Sequence, residues 1–165
     1  MKETFSRLKS AFICSKQREF QYKLLHGAVY TKQKLFQFGF ESDNLCSFCK
    51  QQVETYQHLF LDCLKVKQLW KEVIKKLNLK EVDIDNWKTI FIGLSGKCVR
   101  IHAINCIIFL LKHIIFTSRK NGELPSVHKT TDMIKRYRNE EYNIANKIGK
   151  LGVHFRKWEQ IDAFL

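Results

Sequence analysis

Proline occurs once in this chain of 165 residues and glycine only seven times. So few chain-breakers argue against many short strands joined by tight turns and point to long helices. No stretch has the order of a signal peptide, so the six cysteines suggest a reducing compartment and a product that is not secreted. No glycine-rich phosphate loop, internal repeat or low-complexity tract is found. Carboxylates are scarce as well: 16 acidic residues face 29 lysines and arginines, for a net charge of +13. Such an excess repels itself unless polyanions neutralise it, which makes nucleic acid the leading partner class, with a generically basic surface as the alternative. The most apolar run, Ile101 to Phe116, is interrupted by His102, Asn105, Lys112 and His113. It reads as a buried helix, too short and too polar for a bilayer, so no membrane partner is expected.

What is present suffices for a core. Hydrophobic residues make up 45% of the chain, thirteen of them Phe, which excludes a disordered reading. The expected class is mainly α: a helical domain with a small cysteine-bearing turn between helices, where short antiparallel pieces around the turn are compatible with the spacing. Residues 1–96 would hold the helices flanking that turn, and residues 97–165 a carboxy-terminal helical segment packing on it as one unit.

The densest chemical signal runs from Asn44 to Cys63. Cys46 and Cys49 form a Cys-x2-Cys pair, eight residues follow, then His58, and after four more Cys63. Thiolate and neutral imidazole are the donors zinc prefers, and four of them complete a tetrahedral structural site for one Zn2+. Two other readings compete: unligated core thiols, and a redox pair. A redox Cys-x2-Cys is expected beside a βαβ pattern, which is missing around Cys46. A catalytic zinc is disfavoured because four protein ligands leave no position for water. On an ideal helix His58 and Cys63 would stand about 140° apart. Either the ligands straddle an irregular turn, or the helix proper begins near Cys63. Cys14, Cys98 and Cys106 have no ligand spacing and read as core or incidental.

Helical periodicity covers most of the remainder. Phe5, Leu8 and Phe12 suit a helix from Lys2 to about Ser15; a polar stretch, Ser15 to Glu19, then leads into Phe20, Leu24, Leu25 and Ala28, a helix weakened at Gly27. Thr31 suits an N-cap for Lys32 to Phe38, and Gly39 its C′ end. Val66, Leu69, Trp70, Val73, Ile74 and Leu77 make one apolar stripe. A short helix surrounds Trp87, and a longer, central one runs from Lys97 to Lys120. The last helix is expected from about Thr130 to Trp158, with Tyr137, Ile144, Ile148, Leu151, Phe155 and Trp158 along one packed face.

Leu24-Leu25-His26-Gly27, Thr31, Leu35 and Gly39, then the Cys-x2-Cys pair, Glu54-Thr55, His58-Leu59-Phe60, Asp62-Cys63 and Trp70, resemble the zinc-binding region downstream of reverse transcriptase in non-LTR retrotransposons, the long interspersed elements. Tyr30 departs from the pattern, since many relatives have proline before the threonine. The Ile107 to Arg119 helix and the basic segment ending in Lys157-Trp158 look like the carboxy-terminal tail of such elements. The resemblance implies a CCHC zinc knuckle with Cys46, Cys49, His58 and Cys63 as ligands. It also implies a parent polyprotein that copies RNA onto a nicked chromosomal target, with this region holding RNA or DNA. Polymerase and endonuclease residues would lie in upstream domains, so no catalytic residue is expected here. Eight residues between second cysteine and histidine, rather than four, separate this knuckle from the retroviral nucleocapsid type.

The expected function is therefore non-catalytic binding of RNA, and of target DNA, through phosphates. Lys50, Lys65, Lys67, Lys71 and Lys75 near the metal, with Arg119, Lys120, Lys135, Arg136 and Arg138 as a second group, are the candidate contacts. Phe48 and Tyr56 are candidates for stacking on unpaired bases, with burial against the zinc turn the stronger expectation for Phe48. The alternative is an adaptor docking on the reverse transcriptase core or a host factor, suggested by the apolar last two helices. Expected localisation is nucleus and cytoplasm, as a ribonucleoprotein.

Overall fold

A computed structural model describes residues 15–96 and 98–165. The helix expected from Lys2, with Cys14 near its end, lies outside the described residues, as does Lys97. The described elements are α1 (Ser15–Leu25), α2 (Lys32–Gln37), a π-helical turn (His58–Asp62), α3 (Leu64–Lys76), α4 (Trp87–Ile92), α5 (Val99–Ser118), a 3-10 turn (Arg119–Asn121), α6 (Val127–Lys147) and α7 (Leu151–Asp162). The class is mainly α as expected, and the suggested hairpin reduces to one antiparallel bridge, Leu45 to Val53.

Helix α1 is already formed at Ser15, ahead of its first apolar residue, because Lys16, Gln17, Arg18 and Glu19 are all favourable helix formers. It stops at Leu25 rather than running through Ala28. Gly27 takes φ +63° and its N–H bonds to the Leu24 carbonyl, while Ala28 N–H reaches Lys23 at 2.7 Å, closing the helix end. The buried face of α1 is Phe20, Gln21 and Leu24. Phe20 packs edge-on to Phe60 and His113 and tilted against Phe116, joining α1 to the π turn and α5.

Helix α5 is the centre. It is apolar almost all round, and Ala103 to Lys112, Ile114 and Ile115 are buried under α1, α4, α6 and α7. By length and composition the stretch Val99–Asn121 would suffice to cross a bilayer, so the run is longer than the sequence expectation allowed; 67% of its apolar window is buried inside the protein, as in a core helix. Lys112 sits in that core and pairs with no carboxylate among the described residues. Its Nζ donates to the Phe91 carbonyl at 3.1 Å and lies 4.6 Å over the Phe109 ring, and burial holds its pKa well below the usual lysine value. Gln21 Nε2 donates to the same carbonyl at 2.6 Å.

The last helix expected from the sequence is two helices. Gly149, at φ +66°, ends α6: its own N–H bonds to Asn146 and that of Lys150 to Ala145. The chain turns there and α7 packs back on α5 and α6. The expected stripe is divided accordingly. Tyr137 and Trp158 are buried, whereas Ile144, Ile148 and Phe155 are exposed. The junction is closed by Glu141, whose carboxylate accepts from Lys157 Nζ at 2.9 and 3.1 Å and from Trp158 Nε1 at 3.1 Å. A buried carboxylate requires such partners, because desolvation is otherwise uncompensated.

Candidate metal centre and the charged surface around it

The knuckle is built from local bonds. Asp43 accepts from Leu45 N–H, and Cys46 N–H to Gln52 O and Glu54 N–H to Asn44 O bring the two sides of the turn together. Lys50 closes the Cys-x2-Cys loop by bonding back to the Cys46 carbonyl at 2.9 Å, and does so at φ +57°. That left-handed conformation costs an L-residue with a Cβ about 1–2 kcal/mol. Lys50 occupies a position where glycine would be unstrained.

The second pair of ligands comes from the π turn. Thr55 Oγ1 accepts from His58 N–H, and Cys63 N–H bonds to the His58 carbonyl five residues back. A π turn is wider than an α turn, so residues five apart approach a common face. This answers the spacing problem on both counts: the ligands straddle an irregular turn, and α3 begins directly after Cys63. Trp70 Nε1 donates to the Phe60 carbonyl at 3.0 Å and pins the π turn to α3.

One donor atom each of Cys46, Cys49, His58 and Cys63 lies within 4.8 Å of all the others. Cys46 and Cys63 sulfurs are 3.9 Å apart, and Cys49 Sγ is 3.3 Å from His58 Nε2. Zinc–sulfur bonds of about 2.3 Å in a tetrahedron imply sulfur–sulfur edges of about 3.8 Å, so this donor set is compatible with one zinc ion. The hydrogen bond donated by Cys46, followed by the backbone amides of Lys65 and Val66 at the start of α3, brings the Cys63 thiol down to about 7 against burial, while the bond to Cys63 and burial push Cys46 up. Four protein donors fill the coordination sphere, which makes the site structural.

Beside the metal ligands stands a residue to which sequence reasoning gave no role. Glu54 is completely buried. Its Oε2 accepts from Ser47 N–H at 2.9 Å and Ser47 Oγ at 2.8 Å; its Oε1 accepts from Lys32 N–H at 2.8 Å and from Arg119 Nη1 at 2.7 Å. One carboxylate therefore joins the knuckle, the start of α2 and the end of α5. Gly122 packs on the same place, where a Cβ would lie 3.5 Å from the Ser47 carbonyl.

The candidate cations divide into two groups. Lys50, Lys65, Lys71, Lys75, Lys120, Lys135 and Arg136 are exposed. Lys67 is paired with Asp85 at 2.9 Å, Arg119 with Glu54, and Arg138 with Asp162 through two bonds of 2.9 and 2.6 Å. Lys71 and Lys75 lie one turn apart on the outer face of α3. That helix packs on α6, which carries Lys135 and Arg136, and Lys76 Nζ reaches Thr131 Oγ1 at 3.0 Å across the contact. Arg119 and Arg138 serve the fold, and no feature of the local sequence marks their distant partners. Of the other cysteines, Cys106 is buried in the core and Cys98 is exposed, while Cys14 lies outside the described residues.

Residues 4–70 match the family model described as zinc-binding in reverse transcriptase, a segment that spans all four ligands and ends at Trp70. No curated protein and no solved structure matches the chain. The amino-terminal part is thus a zinc-binding region of the kind associated with reverse transcriptases, and the helices after Trp70 fall outside the match. A region of this kind is an accessory element rather than a catalytic one.

Proposed function

We propose that this chain is a zinc-braced, non-catalytic nucleic-acid-binding domain of a non-LTR retrotransposon reverse transcriptase, or a derivative of one. In this reading it holds RNA, and target DNA, during target-primed reverse transcription. The observation that supports it most is the pairing of a compact four-ligand centre with exposed lysines on the helix it anchors, in a chain of net charge +13. Phosphates would be met by Lys50, Lys65, Lys71 and Lys75 around the metal and by Lys120, Lys135 and Arg136 beyond it. Lys67, Arg119 and Arg138, already in ion pairs, would contribute less. A polymerase domain in the same polyprotein is the expected neighbour, within a ribonucleoprotein of nucleus and cytoplasm. Titrating the zinc-loaded chain with labelled RNA and DNA across a salt series tests this reading. Binding that weakens by about 0.7 to 0.9 in log–log slope per neutralised phosphate is expected, and binding that is absent or indifferent to salt overturns it.

A second reading, docking on the polymerase core or a host protein, is favoured by one observation. Ile144, Ile148, Val153 and Phe155 are exposed around the α6–α7 turn. A partner retained through nuclease treatment and high salt would favour that reading over the first.

A further inference from the structure

The two rings that the sequence offers for stacking on unpaired bases are used by the fold. Phe48 is 2% exposed, and the Tyr56 hydroxyl donates to the Gly27 and Val29 carbonyls while Lys34 covers its ring at 5.3 Å. Exposed rings gather elsewhere, on α1, α2 and the turns that flank α2: Tyr22, Tyr30, Phe36, Phe38 and Phe40 are 45% to 78% exposed. Exposed rings that pack on one another make a candidate contact surface, and Tyr30 and Phe38 do so.

Tyr30 is its pivot. On one side its ring meets Phe38 edge-on, with centroids 6.0 Å apart at 76°. On the other it joins Phe20, Val29 and Phe116 in an open groove of ≈ 330 Å³. Ligand pockets run from roughly 300 to 1,000 Å³, so the groove can accept a planar ring. Its rim carries Lys16, Lys23 and one carboxylate, Glu19, which is paired with Lys23 at 2.6 Å. Along residues 15–40 the charged side chains are Lys16, Arg18, Lys23, Lys32 and Lys34 against Glu19 alone. Lys23 is paired with Glu19, Lys32 with Asp43, and Lys34 Nζ bonds the Gly27 carbonyl, so Lys16 and Arg18 are the cations that an apolar protein surface would leave unmatched while complementing the rings. A single strand complements both, with bases for the rings and phosphates for the cations. In a duplex the base faces are stacked on one another and closed to side chains.

We infer that the Tyr30 groove and the adjoining Phe38 form a stacking site for the bases of single-stranded nucleic acid, with Lys16 at the groove's rim on a phosphate. This rests on the nucleic-acid reading above and narrows it to unpaired strands. The test uses the zinc-loaded chain, fluorescently labelled oligouridylate and an RNA duplex, with a Tyr30→Ala/Phe38→Ala variant and a Tyr30→Phe/Phe38→Tyr variant. Zinc content and far-ultraviolet circular dichroism verify that both variants fold. The alanine variant is expected to bind oligouridylate about five- to a hundredfold more weakly, as loss of one to two stacked bases predicts. Its salt slope and its affinity for the duplex should be unchanged, and the aromatic variant should bind as the parent does. An alanine variant that binds oligouridylate as well as the parent overturns the stacking site and leaves the phosphate reading intact. A parent chain that binds neither nucleic acid overturns both. Loss of association with a polymerase domain, with oligouridylate binding retained, would overturn the site by assigning the rings to a protein contact.

Discussion

Glu54 shows what a single side chain does here. Four donors converge on it from three separate parts of the chain, and one of them, Arg119, is a guanidinium only slightly exposed. Glu54→Ala leaves that guanidinium and two backbone amides without an acceptor. Breaking a buried pair from one side costs about 3–5 kcal/mol, so urea denaturation of this variant should show a loss of that order. Lys50→Gly should act in the opposite direction, gaining about 1 kcal/mol because the knuckle's left-handed residue would lose its strain. Lys112 supplies the pH dependence. Its folded pKa is depressed by burial, whereas the unfolded side chain titrates near its ordinary value of about 10.4. The unfolded state therefore binds the extra proton as pH falls below that value, and the stability present at high pH is progressively lost until the folded pKa is reached. Lys112→Met should stabilise the protein at pH 7 by about 1–3 kcal/mol, with an advantage that shrinks toward pH 10. An advantage of equal size at both pH values would show that Lys112 is charged in the folded protein.

At the scale of elements, the π turn makes the metal centre, and metal and local fold should depend on one another. Cys49→Ser or His58→Ala is expected to raise amide exchange in residues 45–64 while α5 stays protected, because α5 is held by its own apolar packing on α1, α6 and α7. Equal exchange in variant and parent would separate the ligands from the fold of the turn. The ligand set could be read from the sequence because all four residues fall within eighteen positions and their chemistry is carried by residue type. The Val66 to Leu77 stripe was equally legible, since a helix repeats its buried face locally. The division at Gly149 was not. The apolar spacing continues across it, and only the packing of α7 on α5 shows that the second half of the stripe faces elsewhere. Nor could the Glu54–Arg119 pair be seen, its partners being separated by 65 residues with nothing in either neighbourhood to single them out. Phe48 was legible: burial against the zinc turn was the stronger expectation for this apolar ring, and the folded knuckle buries it.

For the whole molecule, the metal centre, the α5 core and the Glu141–Lys157 junction hold together a body whose outer surface is rich in cations. The zinc turn acts as a brace rather than a reagent, and the bundle presents exposed cations, among them Lys71 and Lys75, together with exposed aromatic rings. The measurement that tests this most directly is zinc stoichiometry combined with thermal unfolding, before and after a chelator. The account predicts one zinc per chain and a clear drop in unfolding temperature when it is removed, reversed on adding zinc back. A chain that purifies with no zinc, takes up none, and unfolds at the same temperature with and without chelator would contradict it.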